Sequence, residues 1–200
     1  QRRVKVAPDY SFDTPNPGTA GGNTFDDIFI FIGSMDRFDF KLVGKKEILV
    51  PYNDYKAVYG AKQDELLKPH FLNPDLVRWE LHRVWVVEAT LRDGKRHVYS
   101  KRTFYLDEDS WAALASDEYD ARGQIYRAGF AYMAPSYDLP APYTDMFSTY
   151  DLIARSYRGR FGLKIPEWRV MAVLGEKGSA TQRELVAATQ MDKVTVNRAS

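Results

Sequence analysis

No cysteine occurs in the 200 residues. That excludes disulfides, thiolate nucleophiles and cysteine-ligated zinc, and it is compatible with either redox compartment. The chain also lacks an excess of charge of one sign. It carries 28 Lys and Arg against 27 Asp and Glu, a net +1, so the overall balance gives no reason to expect nucleic acid or an anionic membrane as partner. Long apolar runs are missing as well: Ile28 to Ile32 and Val84 to Val87 fall far short of the ~20 residues that cross a bilayer. Gln1-Arg2-Arg3 leads into no signal-peptide core, and no integral membrane segment is expected. Histidine is scarce. His70, His82 and His97 stand at no metal-ligand spacing, so surface or hydrogen-bonded roles are expected for them and no metal site is. Asp107-Glu108-Asp109 is followed by no calcium loop and reads as a solvated turn. Without a Gly-x-Ser-x-Gly, a phosphate loop or a dinucleotide fingerprint, no catalytic residue, enzymatic activity or cofactor is expected.

What is present is hydrocarbon: 44% hydrophobic residues, 14% aromatic, ample for a packed core in one large or two small domains. The most informative stretch is Arg78 to Leu106. Trp79, Leu81, Trp85, Val87, Ala89 and Leu91 occupy alternate positions, with Glu80, His82, Glu88 and Thr90 between them, the period-two pattern of a half-buried strand. Asp93-Gly94 predicts a two-residue hairpin turn, with Arg96 to Leu106 pairing back. A strand this long spans ~40 Å at ~3.3 Å per residue, and sheets of that length curl.

Upstream, Pro8 to Gly22 reads as an irregular lead-in, and Thr24 to Asp27 can cap one helical turn. Phe38 to Leu42 and Ile48 to Tyr52 alternate on either side of Gly44-Lys45 and predict two strands of a hairpin, and residues 54–77 predict short helices in a connection. Trp111 to Tyr119 and Ile125 to Met133 continue an antiparallel meander that Pro135, Pro140 and Pro142 close. Beyond it, Tyr150, Ile153, Ala154, Tyr157 and Phe161 fall on one helical face. From Ser156 to Ser200 eight Lys and Arg stand against four Asp and Glu, a local +4. Pro166-Glu167, the capping box Thr181 to Glu184 and Asp192 open three short helices, a helix-turn-helix candidate.

Several ordered blocks carry a resemblance: Gly21 to Asp27, Lys41 to Glu47, Val50 to Asn53, Glu80 to Ala89, Tyr105 to Trp111 and Tyr119 to Gly123. Through them, residues from about 2 to 155 resemble the C-terminal half of domain-of-unknown-function family 1329, whose members look like outer-membrane-associated relatives of the periplasmic lipoprotein carrier LolA. The resemblance implies a curved antiparallel half-barrel around an apolar cavity, a periplasmic or outer-membrane location, and a lipid or acylated lipoprotein as partner. Residues from about 157 onward, through Arg160 to Leu163, Ile165 to Leu174 and Met191 to Ala199, resemble the helix-turn-helix part of a MarR-type transcriptional regulator. The wing and dimerisation helices of that family are missing from it, and it implies the cytoplasm. The two together read as a natural fusion, a truncated product or an artificial join.

The expected fold is therefore α+β: a curved antiparallel sheet over 1–155, followed by a small all-α helix-turn-helix fragment over 156–200. Trp79, Leu81, Trp85, Val87, Phe104, Trp111, Tyr126 and Phe130 are the candidate residues for holding an apolar ligand or acyl chain. A helix covering the same face would make them ordinary core, and the protein a structural envelope component. Lys193, Thr195, Asn197 and Arg198 are the candidate DNA contacts, although a lone half-site without a dimer is not expected to bind DNA specifically.

Overall fold

The computed structural model describes residues 11–19, 21–68, 71–153 and 156–159. Seven strands form one sheet: β1 Phe38–Pro51, β2 Trp79–Leu91, β3 Lys101–Asp107, β4 Ala113–Tyr119, β5 Ile125–Ser136, β6 Ala141–Asp151 and β7 Ser156–Gly159. Each is antiparallel to the next and the spatial order is the chain order, as a meander requires. Among the described residues, helix is confined to short 3-10 turns, a π turn at Lys56–Gly60 and the four-residue α1, Gln63–Leu66. The expected short helices of the 54–77 connection are these last two.

Four local expectations are corrected. Phe38 to Pro51 is a single strand instead of a hairpin, because Gly44 marks a bulge: the register with β2 shifts between Leu42 and Gly44, and the strand runs on. The β2–β3 connection is residues 92–100 instead of a two-residue turn. Gly94 does take a positive φ of 75° and Lys95 N–H donates to Arg92 O, but the chain then bows inward to deliver His97 and Tyr99 to partners described below. Residues 150 and 157, read as one helical face, lie in β6 and β7, where they sit directly opposite one another. The prolines do not end the meander either, since Pro135 and Pro142 are a cross-strand pair beside the turn that joins β5 to β6. The helix-turn-helix candidate, the DNA contacts Lys193, Thr195, Asn197 and Arg198, and His70 lie outside the described residues.

The sheet curls far enough for β1 to reach β4 and β5. Val50, Val84, Leu114 and Met133 pack together, and the Asp54 N–H, just past β1, donates to Met133 O at 2.7 Å. Each side has its own cover. One side carries the opposed row Ala89, Arg102, Glu118, Arg127 and Asp151, and lies under residues 24–32, with Ile30 and Phe31 packed on Phe38, Ala89, Phe104 and Ala131. The other side presents Phe130, Tyr132, Met146 and Tyr150, and lies under residues 57–77 through Ala57, Leu66, Leu72 and Val77. The core is thus two apolar layers on opposite sides of the sheet, with the strands between them.

Candidate functional site

The second layer does not close completely. Between β5–β6 and residues 71–79 lies a cleft of about 490 Å³, within the range of small-molecule sites. Its outer wall is Phe71, Leu72, Pro74, Val77 and Trp79, and its floor is Ala128, Phe130 and Tyr132 of β5 with Tyr150 and Leu152 at the end of β6. The wall is held by its backbone. Leu67 and Leu72 form a bridge, Asn73 N–H donates to Leu66 O at 2.8 Å, and the Asn73 side-chain amide donates to Glu65 O. The aromatic rings meet edge to face: Trp79 on Phe130 at 5.6 Å, and Phe130 on Tyr150 at 5.8 Å. Such contacts fix ring orientation as well as burying area.

Among the described residues, no charged side chain lines this cleft. The polar groups in its floor are hydroxyls, with Tyr132 OH 2.8 Å from Ser148 Oγ and 3.3 Å from Tyr150 OH. Burial, seconded by the nearby Tyr150, holds the Tyr132 hydroxyl well above its ordinary pKa, so it stays neutral. Beside the 54–77 cover, Asp54 is fully buried. One oxygen accepts from Arg78 N–H at 2.8 Å, the other has no protein partner, and burial pushes its carboxyl up to about 7.

The structure disperses the eight residues expected to share one ligand face. Trp79 and Phe130 meet in the cleft. Val87 and Phe104 are on the opposite side, packed in the layer under Ile30 and Phe31. Trp85 and Trp111 form a separate stacked pair at 6.0 Å, with Lys45 Nζ 4.1 Å above the Trp85 ring. Leu81 is 65% exposed and is not among the residues of this cleft. Tyr126 lies under the Arg127 guanidinium and accepts a hydrogen bond from it. Phe71, Leu72, Val77, Tyr132, Tyr150 and Leu152 escaped sequence reasoning. The apolar spacing of Phe71-Leu72, Leu76-Val77 and Trp79 after a proline was the available signal, set aside because the segment read as a mere connection.

On the other side of the sheet, buried charge stands beside the hydrocarbon layer under Ile30 and Phe31. Arg102, with no exposed surface, donates to Asp26 at 3.1 Å, Asp27 at 2.9 Å, the Ile30 carbonyl at 2.9 Å and Glu118 at 3.3 Å. Arg127 donates to Tyr99 OH at 2.8 Å and to the Gly21 carbonyl at 2.9 Å, and Tyr99 OH donates to Asp27 at 2.6 Å. His97 Nε2 lies 3.0 Å from Asp26. Thr24 N–H donates to Asp27 Oδ2 at 2.7 Å, closing the capping box that the sequence announced. Burial works against every charge here. Asp26 nevertheless stays below the usual carboxylate range because His97 and Arg102 hold it, whereas burial pushes Glu118 up to about 7 despite Arg102. His82, expected to make a polar cross-strand pair, sits 2.9 Å from Asp107 and 3.3 Å from Glu80, which raise its pKa against burial.

The arrangement has two parts of different character, one sealed by ion pairs and one an uncharged cavity bounded by aromatics. The family description "Protein of unknown function (DUF1329)" matches residues 1–174. This chain belongs to the DUF1329 family. The match runs through β7 and past residue 155, into the segment read as resembling a MarR-type regulator. Over 158 residues the chain is 46% identical to the uncharacterized protein PA3922 of Pseudomonas aeruginosa, an alignment covering 78% of this chain and 35% of that one. It therefore spans about a third of the length of that relative. Among solved structures, this DUF1329 chain is similar to a DUF1329 family protein from Desulfovibrio piger, with TM-score 0.43 and 15% identity over 74% of this chain and 51% of that one. It is also similar to the LolA superfamily protein NE2245 from Nitrosomonas europaea, with TM-score 0.48 and 11% identity over 80% and 56% of the two chains.

Proposed function

We propose that this DUF1329 chain binds an apolar guest, the acyl chain of a lipid or of an acylated lipoprotein, in the cleft between β5–β6 and residues 71–79. The binding takes place in the cell envelope and involves no reaction on the guest. The observation that carries this reading is the cleft itself: about 490 Å³ bounded by Phe71, Val77, Trp79, Phe130 and Leu152, with only neutral hydroxyls at the floor. Encapsulation is the mechanism. Each methylene that leaves water for such a surface contributes about 0.8 kcal/mol, while a charged head group finds no counter-ion among the described lining residues and stays at the mouth.

Displacement of a fluorescent fatty acid by unlabelled lipid tests it. Saturable binding is expected for the unaltered chain, with a loss of at least tenfold in affinity for Trp79→Glu, since a carboxylate in an apolar site must be neutralised or left unpaired. Trp85→Glu, at the separate tryptophan pair, is expected to leave uptake intact. Uptake that survives Trp79→Glu and Phe130→Glu alike overturns the reading.

A further inference from the structure

The walls of the cleft turn outward at its opening. Phe71, Trp79 and Leu152 line the cavity, yet each keeps 42–51% of its surface exposed, and Ile153, next in the chain after Leu152, is 63% exposed without lining the cavity. Three large apolar side chains, two of them aromatic, thus stand partly in water at one opening, and Ile153 follows the third of them in the chain. Isolated exposed apolar residues are ordinary, but a contiguous rim around a binding cleft marks a contact surface.

We propose that this rim docks on the surface of a phospholipid bilayer, so that the cleft takes its acyl chain directly from the membrane. The inference rests on the reading of the cleft as an acyl site. Two observations select the bilayer as occupant. The rim is continuous with the cavity, since the same three side chains form both, and a long acyl chain resides in a membrane, not free in water. Charge near the rim is close to balance: between Tyr55 and Trp79, Lys56, Lys62, Lys68 and Arg78 stand against Asp64, Glu65 and Asp75, and Arg78 is already paired with Glu80 at 2.8 Å. Attraction by anionic head groups therefore contributes little. Docking is by insertion of Trp79, Phe71, Leu152 and Ile153 into the interfacial layer, where Trp is favoured, and it persists at high salt. Completing the burial of one such side chain returns about a fivefold gain in partitioning.

Flotation with phosphatidylcholine vesicles at low and high salt, run beside binding of cis-parinaric acid below its micelle concentration, separates this inference from the one beneath it. The expected result is salt-insensitive flotation that Ile153→Asp cuts at least tenfold, while monomeric cis-parinaric acid binds Ile153→Asp as it binds the unaltered chain. Quenching of tryptophan fluorescence by shallowly brominated lipid is expected to fall with Trp79→Phe. Parinaric acid binding without flotation overturns the docking and leaves the cleft assignment standing, whereas failure of both overturns both. Flotation unaffected by Ile153→Asp and Phe71→Asp also overturns the docking. So does a dimer that Ile153→Asp dissociates in the absence of flotation, which assigns the rim to a second copy.

Discussion

On one side of this sheet Arg102 and Arg127 grip residues 21–30 through two aspartates, two carbonyls and a tyrosine, with Arg102, Asp26 and Tyr99 almost wholly removed from solvent. On the other side, Ala57, Leu66, Leu72 and Val77 press on Tyr132 and Met146 by hydrocarbon contact, and the cover stands away from Phe130 by the volume of the cleft. The difference lies in what each interaction tolerates. Ion pairs and hydrogen bonds are directional, and a buried charge left without its partner costs several kcal/mol, so a charged interface closes fully or does not form. Apolar contact is non-directional, so a cover held by it can leave a cavity that an equally apolar guest fills. The backbone agrees: Phe29 and Ile30 are held at φ of 50° and 74°, strained for such side chains, on the side where the ion pairs dictate the path.

The largest effect should come from breaking the charged side. Arg102→Ala strands Asp26, Asp27 and Glu118 with no exposed surface to speak of, and urea unfolding is expected to show a loss of about 3–5 kcal/mol. Retention of full stability would mean that residues 24–32 are not latched by charge. The next effect is a pH dependence from the same cluster. Burial raises Glu118 from 4.5 to about 7 in the folded chain, so the folded state holds a proton that the unfolded state releases. The contribution of this one group is then fully present below about 4.5 and is lost as pH rises through about 7. Glu118→Gln removes that group from the balance and flattens the profile, read as the slope of unfolding free energy between about pH 5 and pH 8. An unchanged profile would place the titrating group elsewhere, with Asp54, also raised to about 7, the next to test by Asp54→Asn.

Smaller effects probe the apolar side. Phe130→Ala removes the ring between Trp79 and Tyr150, and a tenfold or greater loss of acyl affinity is expected, about 1.4 kcal/mol or more, measured by displacement. Smallest is Leu81→Ser, which touches neither layer: stability within about 0.5 kcal/mol and unchanged acyl binding. A large effect there would show that the long strand carries a ligand face after all.

Much of the frame was legible in the residues. Alternation along Trp79 to Leu91 predicted β2 and the meander through β5 followed from its turn residues, whereas Thr24 to Asp27 allowed a capped turn without deciding it against the β-branched run that follows. The errors have physical sources. Gly44 serves bulges and turns equally, so β1 looked like two strands, and five positions from Tyr150 to Phe161 matched a helical period although Tyr150 and Tyr157 pair across an antiparallel ribbon. Alternation assigns a residue to a side of its own strand but says nothing of what covers that side. Hence Val87 and Phe104, which do face one another, lie beneath Ile30 instead of beside Phe130. The sequence carries no signal that marks Arg102 and Arg127, since a charge within a strand is ordinarily solvent-facing. Only the fold brings Asp26 and Asp27, more than 70 positions from Arg102, into contact with it.

The most direct test of an open, acyl-binding cleft is a crystal structure of the chain with a fatty acid brominated near the end of its hydrocarbon tail. An anomalous bromine peak between Phe71 and Phe130, with the carboxylate toward Leu152 and solvent, is the expected result. A peak at the Trp85–Trp111 pair, or none anywhere on the sheet at saturating ligand, would contradict it.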